Sequence, residues 1–314
     1  MKFLKKLLKI SVISTALIVV FISVFFGYKA IPLNKLKAKY APSPSAFTSL
    51  DGMNVHYRDE GNKADTIPIV LIHGTSSSLH TFEGWTSKLK KSHRVIRMDL
   101  PGFGLTGPFP HRNYTIEHYV DFINHFLEVK DIKHCVLAGN SLGGNIAWRF
   151  AVKYSNKIDK LVLIDASGYP LHSKSVPIAF RLAKVPVLNN ILTFITPRFM
   201  AKASIENVYA DKSKVTESLV DRYFELTLRK GNRQALVNRM KMPGNTDTLQ
   251  IKNIHKPTLI LWGDKDFLIP LDNALKFHRD LPNDTLVILK NAGHVPMEEN
   301  PDESLAVFTA FLKD

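Results

Sequence analysis

One serine stands among glycines in "GNSLGG" (residues 139–144), between the apolar run "HCVLA" (134–138) and the helix-like "NIAWRFAVKY" (145–154). G-x-S-x-G between a strand and a helix is the pattern of a nucleophile turn. A serine on so sharp a bend takes strained backbone angles, and the residues two positions to either side must lack side chains. The bend exposes the Ser141 hydroxyl and aims the next backbone N–H, that of Leu142, at the same space. Serine alone is a weak nucleophile; it needs a base, and the base needs an orienting acid. Both are expected later in the chain, the acid first. His294 lies in "KNAGHVPMEENP" (290–301), between the last expected strand and the last expected helix, and is the expected base. The acid is sought in "WGDKDFLIP" (262–270), just after another strand. Asp266, in the loop beyond the strand end, is the choice; Asp264, nearer the strand, and Asp165, after "LVLI", are the alternatives. A second oxyanion donor is expected from the N–H of Thr75 in "HGTSSSLHTF" (73–82), with His73 bracing that loop and His80 a candidate pocket residue.

Groups so far apart in the chain meet only if several strands end on one side of a sheet. "IPIVLIHG" (67–74), "RVIRMDLPG" (94–102), "HCVLAG" (134–139), "KLVLIDAS" (160–167), "PTLILWGD" (257–264) and "DTLVILK" (284–290) read as strands, most of them apolar enough to be buried on both faces. "GMNVHYRDEG" (52–61) alternates Met53, Val55 and Tyr57 on one face, as an early antiparallel strand does. Residues 115–129, 142–154 and 302–312 carry helical periodicity. Strands alternating with helices predict an α/β fold: a mostly parallel, doubly wound sheet with helices on both faces. Residues 168–244 break the alternation with helical stretches divided by Pro177, Pro186, Pro197 and Pro243, and read as a helical cap inserted between two strands. The expected organisation is an N-terminal membrane anchor (1–30), a tether (31–46), a first part of the core (47–167), the cap (168–244) and a second part of the core (245–314).

A chain of 314 residues with 45% hydrophobic content suits one large domain with an accessory module. The net charge of +14 is concentrated at the start: eight lysines lie between Lys2 and Lys39, and no acid precedes Asp51. The remainder is mildly basic, so nucleic-acid binding is not expected. The single cysteine, Cys135, excludes an intramolecular disulfide and a cysteine-rich zinc site, and its apolar surroundings predict burial. No HExxH, phosphate-loop or dinucleotide pattern is present, so no metal or cofactor is expected.

Residues 10–28, "ISVISTALIVVFISVFFGY", are uncharged. As a helix they would span about 28 Å, close to the ~30 Å hydrocarbon core of a bilayer. The run is longer than a signal-peptide core, and bulky Tyr28 stands where a cleavage site needs a small residue, so a single uncleaved span is expected. Lysines flank it nearly equally. The default for a first span, amino terminus inside, places the catalytic domain on the non-cytoplasmic side, in a bacterium facing the periplasm or exterior. From Ala166 to Ile205 the cap has five Lys or Arg residues and no acid, among long apolar stretches, a composition suited to a lipid surface.

"HGT", "DLPGFGLTG", "GNSLGG", "WGDKDFLIP" and "AGHVPMEENP" together resemble the α/β-hydrolase fold superfamily, from about Leu50 to the carboxyl end and more weakly through the cap. The resemblance implies a lidded hydrolase with Ser141, Asp266 and His294 as its triad, and a structural role for Asp99 in its sharp turn. "GNSLGG" is also similar to carbon–carbon bond hydrolases of aromatic degradation, in which an aromatic residue commonly follows the catalytic histidine; here it is Val295. Haloalkane dehalogenases and epoxide hydrolases of this fold use an aspartate at the turn. A serine there would form an ether that water cannot cleave at a carbonyl, so Ser141 points to acyl transfer. The expectation is a membrane-anchored carboxylic ester hydrolase, esterase- or lipase-like, acting on a small-molecule or lipid ester. The alternatives are a carbon–carbon bond hydrolase cleaving a vinylogous diketone and a non-catalytic binding protein on the same scaffold.

Overall fold

In the computed structural model, which describes residues 2–186, 188–243 and 247–313, the apolar runs form one eight-stranded sheet. Its strands are β1 (Ala46–Leu50), β2 (Met53–Gly61), β3 (Ile69–Ile72), β4 (Arg94–Met98), β5 (Cys135–Asn140), β6 (Ile158–Ile164), β7 (Thr258–Gly263) and β8 (Asp284–Leu289), in the spatial order β1-β2-β4-β3-β5-β6-β7-β8. β2 runs antiparallel to both β1 and β4; all other pairs are parallel. Helices α1 (Lys2–Phe26) and α2 (Leu33–Tyr40) precede the sheet, and α3 (Glu83–Leu89), α4 (Ile116–Val129) and α5 (Leu142–Lys153) connect its first strands. Between β6 and β7 come α6 (Ile178–Lys184), α7 (Leu188–Ile191), α8 (Arg198–Val208), α9 (Glu217–Thr227) and α10 (Asn232–Lys241). α11 (Asp272–Asp280) follows β7; α12 (Pro296–Glu299) and α13 (Pro301–Lys313) follow β8.

The strands are apolar on both faces because both faces are covered. Ile72, Leu137 and Leu163 pack toward Phe122 of α4, Ile146 of α5 and Phe277 of α11. Their neighbours Leu71, Ala138 and Val162 point the other way, toward Trp85 of α3 and Phe308 of α13. Because β3 to β8 all run in one direction, their carboxyl ends lie on one edge of this two-sided core. The open loops after β3, β5, β7 and β8 then converge where the candidate site lies. Cys135 is buried as expected, and burial pushes its thiol pKa up.

Residues 10–26 of the expected membrane span lie in α1, a helix of 25 residues, and Gly27 and Tyr28 follow it. Among the described residues no helix is long and apolar enough to cross a membrane. Of the expected span, the side chains of residues 15, 16, 18–20 and 22–24 lie outside what is described. The expected boundary between cap and second core part, at 244–245, also lies outside the described residues.

The expected tether differs from its structure. Residues 33–40 form α2, with Leu36 and Tyr40 buried against Leu105 and Leu226. Lys39 Nζ and the Tyr40 hydroxyl donate to Glu225 at 2.8 Å each. β1 then occupies residues at the junction expected between tether and core and adds an edge strand. Leu36→Ala should therefore lower the stability of the folded domain by about 2–5 kcal/mol, the usual cost of truncating a buried leucine. Denaturant unfolding of chains beginning at Gly27 would measure it. For the same reason a chain beginning at Ala41 should be less stable than one beginning at Gly27, and equal midpoints would show that α2 adds nothing.

Candidate active site

β5 ends at Asn140 and α5 begins at Leu142, so the turn between them is a single residue, Ser141, with φ 56° and ψ −113°. Positive φ at a non-glycine residue costs of order 1–3 kcal/mol and persists only where surrounding structure enforces it. The glycines explain how. A Cβ on Gly139 would lie 2.2 Å from the Gly143 carbonyl oxygen, and one on Gly143 would lie 2.2 Å from that of Ile72. Backbone packs on backbone at both flanks of the serine. The Ser141 N–H donates to Ile164 O, and its carbonyl accepts from Asn145 N and Ser167 N, each at 3.1 Å. Leu142 is the first residue of α5, so its N–H has no acceptor within the helix. Thr75, the other expected oxyanion donor, lines the same cavity as Ser141.

His294 Nδ1 lies 2.7 Å from Asp266 Oδ2, and both side chains are buried. Asp266 Oδ1 accepts the N–H groups of Leu268 at 2.8 Å and Ile269 at 2.9 Å. Against an ionised carboxylate so held, Nδ1 carries the proton and Nε2 is left as the base. Asp266 is thus the acid brought to the histidine. Asp264 instead accepts from Asn291 N at 2.7 Å, tying the loop after β8. Asp165 lies behind the pair: one oxygen each of Asp165 and Asp266 and a ring nitrogen of His294 fall within 4.8 Å of one another.

His73 braces its loop, with Nδ1–H donating to Gly74 O at 2.7 Å and Nε2 accepting from Leu100 N at 2.9 Å. Burial lowers its pKa, which suits this neutral form. His80 is not in the cavity. It sits in a short 3-10 turn (Leu79–Phe82) whose other side chains are buried, and this turns it toward α2. There its Nε2 meets Tyr40 O at 2.9 Å and its Nδ1 meets Ser78 Oγ at 3.1 Å, while burial brings its pKa down to about 4. Asp99 accepts from Leu79 N at 2.8 Å, Leu105 N at 2.7 Å and His56 Nδ1 at 2.7 Å. Burial opposes its ionisation, but the neighbouring histidine rings, His56 foremost, together hold the carboxyl below the usual range. His56 Nε2 in turn meets Ser45 Oγ at 3.0 Å, forming a second Ser–His–Asp chain. Ser45 Oγ also accepts from Arg58 Nε at 2.9 Å and does not line the cavity, so this chain is a brace.

Two residues escape sequence reasoning. The Asn140 amide donates to Ile164 O at 3.1 Å and to His294 O at 2.9 Å, tying the serine turn to the histidine loop. Buried Glu299 accepts from Gly293 N at 2.8 Å and from Asp211 N at 2.7 Å, joining that loop to the cap. The His294 N–H adds a bond to Val208 O of α8 at 2.8 Å. An asparagine inside G-x-S-x-G and a glutamate in a polar helical turn carry no periodic signal of these roles.

Ser141 and His294 form the polar floor of a cavity of about 1010 Å³, its open mouth included. Its walls are mainly apolar and come from the cap, among them Phe180, Leu192, Met200, Val208, Leu236 and Val237. Polar contributions include Ser77, Tyr223 and Arg233. The Tyr223 hydroxyl is engaged by Glu298 Oε2 at 2.8 Å, and Arg233 Nη1 donates to Phe194 O at 2.9 Å.

A family model described as alpha/beta hydrolase fold matches residues 67–301. The chain is 29% identical over 277 residues to an uncharacterized hydrolase, YugF, of Bacillus subtilis strain 168, covering 87% of this chain and 99% of that protein. It is 26% identical over 261 residues to 2-hydroxy-6-oxo-2,4-heptadienoate hydrolase of Pseudomonas putida, covering 79% and 88% respectively. Among solved structures, a membrane phospholipase A described as a bacterial virulence factor aligns with a TM-score of 0.74 at 21% identity, covering 99% of this chain and 98% of that one.

Proposed function

This chain belongs to the alpha/beta hydrolase fold family and is a hydrolase; from that premise we propose that it cleaves carboxylic esters of lipids through an acyl-enzyme on Ser141, held at a membrane by α1. The observation that carries the reading is that Ser141 and a carboxylate-oriented His294 line the floor of one cavity with apolar walls. In this mechanism His294 Nε2 takes the proton of Ser141 as Oγ attacks the ester carbonyl. The N–H groups of Thr75 and Leu142 receive the oxyanion, each worth about 3–4 kcal/mol in the transition state. The alcohol leaves with the proton from His294. Water, deprotonated by the same ring, then releases the acid. The apolar walls hold the acyl chain.

The similarity to a heptadienoate hydrolase supports a second reading, carbon–carbon bond hydrolysis. A dienoate carries a carboxylate, and Arg233, the one Lys or Arg among the described residues that line the cavity, would meet it. Turnover of a p-nitrophenyl ester series against a dienoate ring-fission product separates the two. The ester reading expects rates rising with acyl length; faster cleavage of the dienoate would replace it.

Three features support the membrane part. Residues 10–28 are uncharged. The chain leaving α1 is bound to the cap, with Tyr28 N–H donating to Phe194 O at 3.1 Å and Ile31 N–H to Leu228 O at 3.0 Å. Phe194 and Phe199 stand 70% and 61% exposed at that junction, with Phe199 edge-on to Phe26. A cap so placed would lie against lipid, its basic residues toward anionic headgroups, with the catalytic domain on the non-cytoplasmic side. The full chain should stay in the membrane fraction through carbonate washing, and protease added outside spheroplasts should digest its domain. Release by carbonate would remove the anchor; protection from protease would reverse the orientation.

A further inference from the structure

We propose that Asp165 is a positioning residue: a neutral carboxylic acid that donates a hydrogen bond to the Asp266 carboxylate, fixing the acid of the triad without placing a second negative charge beside His294. The proposal rests on the reading of Ser141, His294 and Asp266 as that triad. Asp165 follows β6 directly, with φ 43°, and is fully buried. Its Oδ1 accepts the N–H of Gly263, the last residue of β7, at 3.0 Å. Its Oδ2 is also buried and meets no donor. As a bare anionic oxygen, that atom would be desolvated without compensation. As a hydroxyl it becomes a donor, and an acceptor is at hand. A carboxylate oxygen of Asp266 lies within the 4.8 Å cluster, and the Asp266 carboxylate keeps lone pairs beyond the bond that Oδ2 takes from His294.

The charged and titratable groups facing Asp165 come from three neighbouring elements. They are Asp266 in the loop after β7, His294 in the loop after β8 and Glu299 of α12. Burial first, and the Asp266 charge second, raise the Asp165 pKa well above the carboxylate range. The sign of the functional consequence follows. A second anion beside His294 would favour the imidazolium and push the acid limb of the pH–rate profile upward; a neutral acid does not.

The test uses the full chain with Asp165→Asn and Asp165→Val. Infrared spectra at neutral pH read the protonation state without reference to turnover. The wild type should show a protonated-carboxyl C=O band that Asp165→Asn removes. In kcat/KM profiles on an ester, Asp165→Asn, which keeps a neutral donor, should retain most activity with its acid limb unmoved. Asp165→Val should lose about tenfold to hundredfold, the worth of a hydrogen bond to a charged group. An absent band, or an acid limb displaced downward in Asp165→Asn, means an ionised Asp165 and overturns the proposal. Equal losses in both variants overturn it too. If Asp165→Val does not fold, the infrared band and the Asp165→Asn profile still decide. Failure of the triad reading would look different: the wild type would not be labelled at Ser141 by a fluorophosphonate.

Discussion

Ser141→Ala will abolish labelling by a fluorophosphonate probe and lower ester turnover by about six orders of magnitude, the scale seen when a serine hydrolase loses its nucleophile. The size follows from what the turn provides. Ser141 is the single residue between β5 and α5, and Gly139 and Gly143 leave no room for the turn to relax. His294→Ala should cost nearly as much, because the serine and its base act as one unit, and the double variant should be little worse than either single one. Peptide mapping of the labelled protein gives the site directly. Label retained in Ser141→Ala would mean that another residue is acylated, and the mechanism above would fail with it.

Asp266→Asn should lower kcat by about four orders of magnitude. The amide can still reach His294 Nδ1, but it can donate, and it then favours the tautomer with its proton on Nε2. That ring can no longer accept from Ser141. Asp264→Asn should stay far nearer wild type, since the Asp264 carboxylate accepts from Asn291 N in the loop after β8, whereas it is Asp266 that meets the His294 ring. Single-turnover rates for the two variants, with thermal unfolding to show both are folded, check the ranking. A reversed order would move the acid of the triad to Asp264.

The serine turn was legible because its geometry forbids most residues at several positions. A Cβ within 2.2 Å of a carbonyl oxygen is intolerable, so Gly139 and Gly143 write the turn into the sequence. The strands were legible for a similar reason, since two covered faces require unbroken apolar runs. Asp266 and Asp264 are two residues apart in one loop, and residue type says little about which faces the histidine. The Leu268 and Ile269 N–H groups that turn Asp266 inward are backbone groups with no sequence signature. The sequence leaves His80 between a pocket and a structural role, because the turn that buries its neighbours and directs it to Tyr40 has no sequence signature. α2 looked like a tether because its lysines dominate its composition. It becomes a packed helix only through Leu105 and Leu226, distant in the chain.

The cap has a consequence for the order in which the protein is made. β6 is complete at Ile164, but its partner β7 begins only at Thr258. Throughout synthesis of residues 165–257, roughly 5–20 s at ~5–20 residues per second, β6 is an outer edge of the growing sheet. That edge carries Leu161, Val162, Leu163 and Ile164, all buried in the finished protein. Unpaired apolar edges invite pairing with other chains. The long excursion that builds the substrate chamber thus imposes a vulnerable interval during biogenesis. Lys157, just before β6, and Lys160, within its first residues, place charge at one end of it. Replacing them with valine should increase aggregation of nascent chains more than it changes the melting temperature of protein that has matured.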